Sequence, residues 1–385
     1  MESLNSFGWT SSSGGGGGGG NAVILLGSGS GSSYRCGNNN TASGQYSTVS
    51  GGFCNTASGS ASTISGGRCN TASGYYGYST VGGGLCNIAS CDYSFIGGGR
   101  CNTASNYNST VGGGRENTAS GYNSLVSGGT CSLSTCDYSM IGGGIFNTSS
   151  GYVSSVLGGA FNTASSRYST IGGGRLNTSS NCYSVVSGGF CNIASGNSST
   201  IGGGLCNTAS CNYSTVSGGR CNTASGICST VSGGSFNISC NYSTVGGGIG
   251  NTASGCYSTV SGGFCNTASA DYHSTVGGGI LNTASCRSST VGGGTTNTAS
   301  SYYSTISGGK GNTASGSYSA ILGGQFNNTC SLSDAMIIGS CICANDSCTT
   351  FVNKLSAVNL PNAVGSVQQY GFYYDPATCL IYYKP

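Results

Sequence analysis

Hydrophobic and polar residues alternate along residues 40–329 with a repeat of about fifteen residues. Each repeat contains two short alternating segments, for example Ser47-Thr48-Val49-Ser50 and Asn55-Thr56-Ala57-Ser58. Alternation with a period of two is typical of β-strands that bury one face. We therefore predict two strands per repeat, in which the first and third residues point inward and the second and fourth point outward.

The spacing of these segments predicts coils stacked on one another. An asparagine opens the second segment of nearly every repeat, and the steps between these asparagines are fifteen residues apart from one of 17, one of 14 and one of 16. A Gly-Gly pair such as Gly51-Gly52 lies between the segments and is typical of turns with positive φ or close backbone approach. The three prolines, which would interrupt a backbone ladder, all follow the array: Pro361, Pro376 and Pro385.

We therefore predict an all-β fold, a parallel β-roll or β-solenoid of about 20 fifteen-residue coils. Residues 1–35 are interpreted as an attachment segment and a Gly/Ser-rich tether with a strand in Asn21–Leu26, or as a frayed end. Residues 36–330 are the repeat array. Residues 331–385 are predicted to form an irregular coil and an aromatic β-hairpin around Asp375-Pro376, which caps the solenoid or serves as a receptor-binding tip.

The interior of such a coil is thin, and this predicts self-association. One alanine and one valine or isoleucine per coil bury little apolar area for a monomer. The residue after the inward valine or isoleucine is serine or glycine, as at Ser50 and Gly82, which leaves a face that another chain can approach closely. Large apolar residues replace the outward threonine at Ile88, Phe95, Leu125, Leu133, Met140, Val185, Ile193 and Ile238. We expect a symmetric homo-oligomer, with a trimer preferred.

The doubled pattern Ser47-x-Val49-x-Gly51 and Asn55-x-Ala57-x-Gly59 resembles the repeats of the YadA-like head of trimeric autotransporter adhesins. That resemblance covers residues 40–330 and implies a left-handed parallel β-roll and a trimer. We expect the chain to depart from that family, since we identify no signal peptide, coiled-coil stalk or membrane barrel in its sequence. Residues 334–361 resemble the end of fibre-like β-roll proteins of large DNA viruses and phages, which implies a virion protein.

Composition and charge narrow the function classes. Charged residues make up 5% of the chain and the net charge is +3, so we expect no nucleic-acid partner. The 74 glycines would suit a disordered linker, but the apolar residues keep their places in the repeat, which favours an ordered array. The sequence shows no secretory signal, and the apolar run Ala22–Leu26 is too short to span a bilayer. We expect a virion-surface or extracellular protein that is not inserted in a membrane.

Nine of the 23 cysteines lie in one column, directly before the repeating asparagine. Phenylalanine or leucine occupies this position in other repeats, so we expect a buried apolar column of free thiols. Stacked neighbours would lie about 5 Å apart, within the Cα range of a disulfide. The pairs that could form are Cys54 with Cys69, Cys86 with Cys101, and Cys206 with Cys191 or Cys221. The motif Cys341-x-Cys343 lacks a second pair, so we predict no zinc and no other cofactor.

The sequence also predicts that the protein is not an enzyme. It contains one histidine and eight carboxylates. His273 lies beside Asp271 in a lengthened repeat, where a solvated bulge is the simpler interpretation than a catalytic pair. Asp92 and Asp137 share a position three coils apart, roughly 14 Å from the strand spacing, which is too far for an acid/base pair.

A recurrent tyrosine before Ser-Thr-Val supplies a candidate binding surface, which includes Tyr93, Tyr138, Tyr168, Tyr183 and Tyr213. These rings either contact a host-surface glycan or protein, or stack on one another. We therefore expect a structural fibre or adhesin that projects from a virus particle and attaches to a surface. Alternatives are a coat or filament subunit without a receptor, and an ice-binding solenoid, which the threonine columns suggest. Interruptions at Phe95, Leu125 and Met140 argue against ice binding.

Overall fold

The protein is a parallel β-solenoid in this computed structural model, which describes residues 24–35, 39–353, 372–375 and 380–383. About 21 turns follow one another at intervals of about 15 residues, and the described residues contain no helix. The chain divides into two compact units, Met1–Phe161 and Asn162–Pro385. Each unit is described by itself below.

The described residues of the first unit form eighteen short strands, most of them two residues long. They are β1 (Ile24–Leu26), β2 (Ser33–Arg35), β3 (Thr41–Ala42), β4 (Thr48–Val49), β5 (Thr56–Ala57), β6 (Thr63–Ile64), β7 (Thr71–Ala72), β8 (Thr80–Val81), β9 (Ile88–Ala89), β10 (Phe95–Ile96), β11 (Thr103–Ala104), β12 (Thr110–Val111), β13 (Thr118–Ala119), β14 (Leu125–Val126), β15 (Leu133–Ser134), β16 (Met140–Ile141), β17 (Thr148–Ser149) and β18 (Ser155–Val156).

The second unit repeats this arrangement and ends in a hairpin. Its strands are β19 (Thr163–Ala164), β20 (Thr170–Ile171), β21 (Thr178–Ser179), β22 (Val185–Val186), β23 (Ile193–Ala194), β24 (Thr200–Ile201), β25 (Thr208–Ala209), β26 (Thr215–Val216), β27 (Thr223–Ala224), β28 (Thr230–Val231), β29 (Ile238–Ser239), β30 (Thr244–Val245), β31 (Thr252–Ala253), β32 (Thr259–Val260), β33 (Thr267–Ala268), β34 (Thr275–Val276), β35 (Thr283–Ala284), β36 (Thr290–Val291), β37 (Thr298–Ala299), β38 (Thr305–Ile306), β39 (Thr313–Ala314), β40 (Ala320–Ile321), β41 (Met336–Ile338), β42 (Thr350–Val352), β43 (Phe372–Asp375) and β44 (Leu380–Tyr383).

Within each unit, every repeat strand pairs in parallel with the equivalent strand of the next coil. From β2 to β40 the even-numbered strands belong to sheet A, where Phe95 pairs with Thr110, and from β3 to β39 the odd-numbered strands belong to sheet B, where Thr103 pairs with Thr118. Sheet A also includes β1, β41 and β42. A third ladder of single parallel bridges runs between the sheets, for example from Arg68 to Leu85. The predicted parallel, in-register stacking is confirmed.

The core is the narrow space between the two sheets, and the predicted alternation is confirmed there. Inward valines and isoleucines of sheet A and inward alanines of sheet B are fully buried, as at Val111 and Ala104. Asparagine and serine columns beside them are equally buried, as at Asn102 and Ser109. The outward threonines are half-buried in most coils. In most coils, two of the four inward side chains are therefore polar. Hydrogen bonds must satisfy these polar groups, because the apolar core is small.

The buried asparagines supply these bonds as a continuous ladder. The Asn55 Nδ2 donates to the carbonyl oxygen of Gly51 in its own coil at 3.0 Å and to that of Gly67 in the next coil at 2.9 Å. Its Oδ1 accepts the backbone N–H of Asn70 at 3.0 Å. The same three bonds recur in both units, for example at Asn222. Each carboxamide thus ties a turn to itself and to its neighbour.

Two corners join the strands of each coil. The glycine corner leads from sheet A to sheet B, as in Ser50–Cys54, and the aromatic corner leads from sheet B to sheet A, as in Ser90–Tyr93. The last residue of each corner has left-handed backbone, with φ of 54° at Cys54 and 55° at Tyr93. An L-residue in this conformation costs about 1–2 kcal/mol, so packing and hydrogen bonds must hold it there.

Gly-Gly pairs of the glycine corner have two different roles. Gly99 has φ of 93°, and a Cβ added there would overlap the carbonyl oxygen of Gly114 and lie 2.6 Å from the Asn102 Nδ2. A Cβ added at Gly98 would meet nothing within 4 Å. The close backbone approach that the sequence predicts is therefore required at the second glycine of this pair.

All three irregular repeats change the length of the aromatic corner and leave the glycine corner unchanged. The 17-residue step has two extra residues in Gly74–Tyr78, the 14-residue step lacks one near Cys240, and the 16-residue step adds one in Ala270–His273. The backbone ladder continues through the long corner, since Thr63 still pairs with Thr80. Asparagine bonds fix the glycine corner, whereas the aromatic corner can change in length.

The ladder also extends beyond the predicted array boundaries at 36 and 330. The strand β1 falls within the predicted Asn21–Leu26 segment and pairs antiparallel with β2, which pairs in parallel with β4. At the other end, β40, β41 and β42 pair in parallel, and a disulfide joins Cys330 to Cys343. The strands β43 and β44 form the predicted antiparallel hairpin. Its capping role remains a prediction.

Candidate surface ladders

The tyrosines form a stacked ladder on the aromatic corners. In the first unit, six successive coils each contribute one ring: Tyr78, Tyr93, Tyr107, Tyr122, Tyr138 and Tyr152, with neighbouring ring centroids 5.2–5.7 Å apart. The rings come from two adjacent corner positions, and each coil uses one or the other. The sequence pattern before Ser-Thr-Val identifies one of these positions and misses the other.

Stacking restricts what most of these rings can bind. Tyr78 and Tyr93 are parallel within 6° at 5.2 Å, and Tyr168 and Tyr183 within 7° at 4.9 Å. Rings stacked in this way cover one another's faces and expose their edges and hydroxyls. Tyr138 makes edge contacts to the tyrosines on both sides. Each of these four candidate binding tyrosines therefore has an aromatic neighbour.

Tyr213 differs from the other four candidates. The neighbouring coils place Ser198 and Cys228 at its position, so no aromatic ring comes from there. Its side chain is 62% exposed. Tyr213 is therefore the candidate tyrosine best able to offer an open ring face to a flat ligand.

The candidate cysteines lie at the surface of the glycine corners. Cys54, Cys69, Cys86 and Cys101 of the first unit, and Cys191, Cys206 and Cys221 of the second, are half-exposed free thiols. Phenylalanines and leucines in the same column are 40–58% exposed. The expectation of a buried column is therefore wrong, because the left-handed residue directs its side chain outward. The predicted disulfide pairs remain predictions.

Neighbouring thiols in this column influence each other. Burial raises the pKa of the Cys86 thiol, and the thiols of Cys69 and Cys101 raise it further. Burial likewise raises the pKa of Cys206, with contributions from Cys191 and Cys221. The contributions of the neighbouring cysteines to these pKa values require adjacent coils to bring their thiols close together.

One position in this column contains a carboxylate. Glu116 forms an ion pair with Arg115 at 2.9 Å and accepts a hydrogen bond from the Cys131 thiol at 3.2 Å. This hydrogen bond raises the pKa of Cys131. The bonds from Cys131 and Arg115 lower the pKa of Glu116.

Asp92 and His273, which the sequence analysis predicts to be non-catalytic, both make contacts that stabilise the fold. Asp92 is buried, and its Oδ1 accepts the backbone N–H groups of Tyr76 at 2.7 Å and Gly77 at 3.1 Å, which anchors the long corner. His273 stacks on Tyr257 at 5.3 Å as a member of the aromatic ladder. Among the residues that the structure describes, no three His, Cys, Asp or Glu side chains form a metal-binding group.

Cations also share a column, which the sequence analysis missed. The bridging position of the glycine corner holds six Arg or Lys residues: Arg68, Arg100, Arg115, Arg175, Arg220 and Lys310. Several lie over aromatic rings, as Arg68 does over Phe53 at 5.5 Å and Arg220 over Phe236 at 5.4 Å. Grouping residues by coil position would have found this column.

One coil has a match among known families. Residues 47–59 match the family model of the ubiquitous surface protein adhesin repeat. The match spans a sheet A strand, the glycine corner and a sheet B strand. No curated protein matches the chain significantly. The solenoid and the adhesin repeat together point to a structural, adhesin-like protein and away from an enzyme.

The described part of the chain also has no helix of the length and hydrophobicity needed to cross a bilayer.

Proposed function

We propose that this protein is a fibre-like adhesin that projects from a particle surface and attaches to another surface. The observation that carries the proposal is the in-register solenoid of fifteen-residue coils, one of which matches an adhesin repeat. Successive backbone ladders provide stiffness without a large core. In this proposal, residues 1–35 attach the fibre, residues 36–330 form its body and residues 331–385 close its end.

A virus particle is the proposed carrier, and a surface or extracellular location follows from an adhesin role. The resemblance of residues 334–361 to viral fibre-like proteins supports this assignment. Antibodies raised against the repeat array should label the outside of purified particles in electron micrographs. Labelling confined to the interior of infected cells would contradict the proposal.

The proposed fibre is a homotrimer assembled through the outer face of sheet A. Large apolar residues are exposed on the single chain, for example Phe95 at 42% on sheet A and Ile88 at 42% on sheet B. The residue that follows each sheet A strand is also small, as at Ser50 and Gly82, so a second backbone can come close along this edge. This combination supports sheet A as the contact face.

Two matched threonines test the contact face. Thr110 on sheet A and Thr103 on sheet B occupy equivalent outward positions and are both half-buried. The variant Thr110→Arg should reduce the solution mass from three chains of 37.8 kDa towards one, while Thr103→Arg should leave it unchanged. Light scattering measures both masses. A monomeric parent, or equal masses for the two variants, would exclude this assembly.

Attachment to a glycan is assigned to the aromatic ladder, with Tyr213 as the leading contact. A sugar ring packs on an open aromatic face. The 62% exposure of Tyr213 and the absence of aromatic residues at its position in the two neighbouring coils support this choice. The parent fibre should bind a subset of a glycan array, Tyr213→Phe should retain that binding and Tyr213→Ala should lose it. The matched variant Tyr183→Ala removes a ring that stacks on Tyr168 and should have a smaller effect. Absence of binding to glycans and cells would favour the purely structural coat or filament subunit.

Ice binding is a second candidate function that one observation favours. Eight successive sheet A strands of the second unit carry an uninterrupted outward threonine row, which comprises Thr200, Thr215, Thr230, Thr244, Thr259, Thr275, Thr290 and Thr305. The interruptions at Phe95, Leu125 and Met140 belong to the first unit. A thermal hysteresis activity lost in Thr230→Lys and kept in Thr223→Lys would support this function.

A further inference from the structure

We propose that Cys54, Cys69, Cys86 and Cys101, here called the thiol ladder, bind soft monovalent cations such as Cu(I) or Ag(I). One ion would lie between the thiolates of neighbouring coils. This site is separate from the adhesin function and rests on the backbone register of the glycine corners. Soft thiolate ligands favour cations of this class.

The register places the four thiols in one row. The Cys86 N–H donates to the carbonyl oxygen of Arg68 at 2.9 Å, and the Cys101 N–H donates to that of Leu85 at 2.8 Å. Arg68 and Leu85 are themselves bridged in parallel, even though the step between these coils is 17 residues. The four cysteines have φ of 54°, 55°, 56° and 53°. Equal backbone geometry gives equal side-chain directions, one coil apart.

The coil spacing matches a two-coordinate ion. Parallel strands are about 4.8 Å apart. If the ion–sulfur bonds have the length of zinc–thiolate bonds, about 2.3 Å, two of them in a linear arrangement span about 4.6 Å, so an ion fits between adjacent thiolates with little backbone movement. A disulfide requires Cβ atoms about 3.5–4.5 Å apart, closer than the spacing of residues related by one coil. Zinc requires four ligands in a tetrahedron, which a single row does not offer.

The ladder is also accessible, and a cation lies beside it. All four thiols are half-exposed, so an ion can reach them from solution. Binding converts two thiols and one monovalent cation into a bis-thiolate complex of charge −1 and releases two protons. Arg68 directly precedes Cys69 in the chain, so a positive charge belongs to the same corner as the ladder. This neighbouring positive charge favours the anionic complex.

Two double variants with the same number of thiols test the need for adjacency. C54S/C101S leaves Cys69 and Cys86 in neighbouring coils, whereas C69S/C101S leaves Cys54 and Cys86 two coils apart. Both are made in the full chain with Cys206→Ser, which interrupts the equivalent row of the second unit. The reduced proteins are titrated anaerobically with Cu(I) against a coloured Cu(I) chelator, and native mass spectrometry counts bound ions. Circular dichroism verifies the β-solenoid.

We expect C54S/C101S to keep one ladder-bound ion and C69S/C101S to lose it, with at least tenfold weaker retention against the chelator. Equal retention in both variants, or loss in both, would overturn the proposal. A parallel sample receives hydrogen peroxide, which oxidises two thiols to a disulfide and is reduced to two waters. A Cys69–Cys86 disulfide in peptide maps, combined with no Cu(I) retention by the parent, would identify a covalent staple instead of a metal site.

Discussion

The asparagine ladder predicts that one buried carboxamide contributes strongly to the stability of its coil. Asn102 is fully buried, and its Nδ2 donates to the carbonyl oxygens of Gly98 and Gly114 at 2.9 Å each. Its Oδ1 accepts the N–H of Asn117 at 3.0 Å. At about 1 kcal/mol for each bond, Asn102→Ala should destabilise the local structure by about 3 kcal/mol. The vacated space adds to this cost.

Hydrogen exchange measures this effect locally. Repeat arrays need not unfold in one step, so a single melting temperature would average over many coils. A loss of about 3 kcal/mol corresponds to roughly 100-fold faster exchange through local opening. The amides of Thr103 and Thr118, which lie in the affected coils, should show this change, while those of Thr56 should not. Unchanged exchange at Thr103 in a folded Asn102→Ala variant would refute the reasoning.

The chain offers a matched control at Ser132, which occupies an asparagine position of the ladder. Its hydroxyl donates only to the Thr130 carbonyl, at 3.4 Å. Ser132→Asn would place a carboxamide near the carbonyl oxygens of Gly128 and Gly144, which are equivalent to the acceptors of the other coils. Exchange in the adjoining coils should therefore become slower. Faster exchange would show that this coil has adapted its packing to serine.

Three further predictions follow from the corners. Gly99→Ala should lower the free energy of local opening of its coil by more than about 3 kcal/mol, as measured by hydrogen exchange, because the added Cβ overlaps neighbouring backbone. Gly98→Ala should change it little, because a Cβ there meets no other atom within 4 Å. Val153→Asn should slow hydrogen exchange in its own coil, since φ is 54° there and asparagine tolerates this conformation better by about 1 kcal/mol. Glu116→Gln should speed iodoacetamide alkylation of Cys131 at pH 8, because loss of the carboxylate lowers the thiol pKa and increases the thiolate fraction. An unchanged rate would contradict that assignment.

The sequence predicts the strand pattern and direction well because alternation alone determines them. Val49 and Ala57 point inward as expected, and their neighbours Thr48 and Thr56 point outward. The role of Asn55 is only half predicted. Alternation places it inside, but its three hydrogen bonds depend on the carbonyl oxygens of Gly51 and Gly67 and on the backbone N–H of Asn70, and the last two groups belong to the next coil.

The corners could not be predicted in the same way. Bulky residues seldom adopt positive φ, so a cysteine column shared with Phe146 and Leu176 suggested burial. The left-handed backbone at Cys54 turns this column towards solvent. The stacking of Tyr107 on Tyr122 was missed because these rings occupy the other corner position. Both errors concern backbone conformation, to which a hydrophobicity pattern is insensitive.

The fixed distance between paired strands affects how this protein folds. Parallel sheets normally form slowly, because distant chain segments must meet before any pairing is gained. Here Thr103 pairs with Thr118, fifteen residues later in a chain of 385, and the same separation applies along most of the ladder. The relative contact order therefore lies below the roughly 0.07–0.12 of helical bundles. Folding can begin at any coil and spread to the next one by closing one loop of about fifteen residues at a time. The chain can therefore fold coil by coil as it emerges from the ribosome.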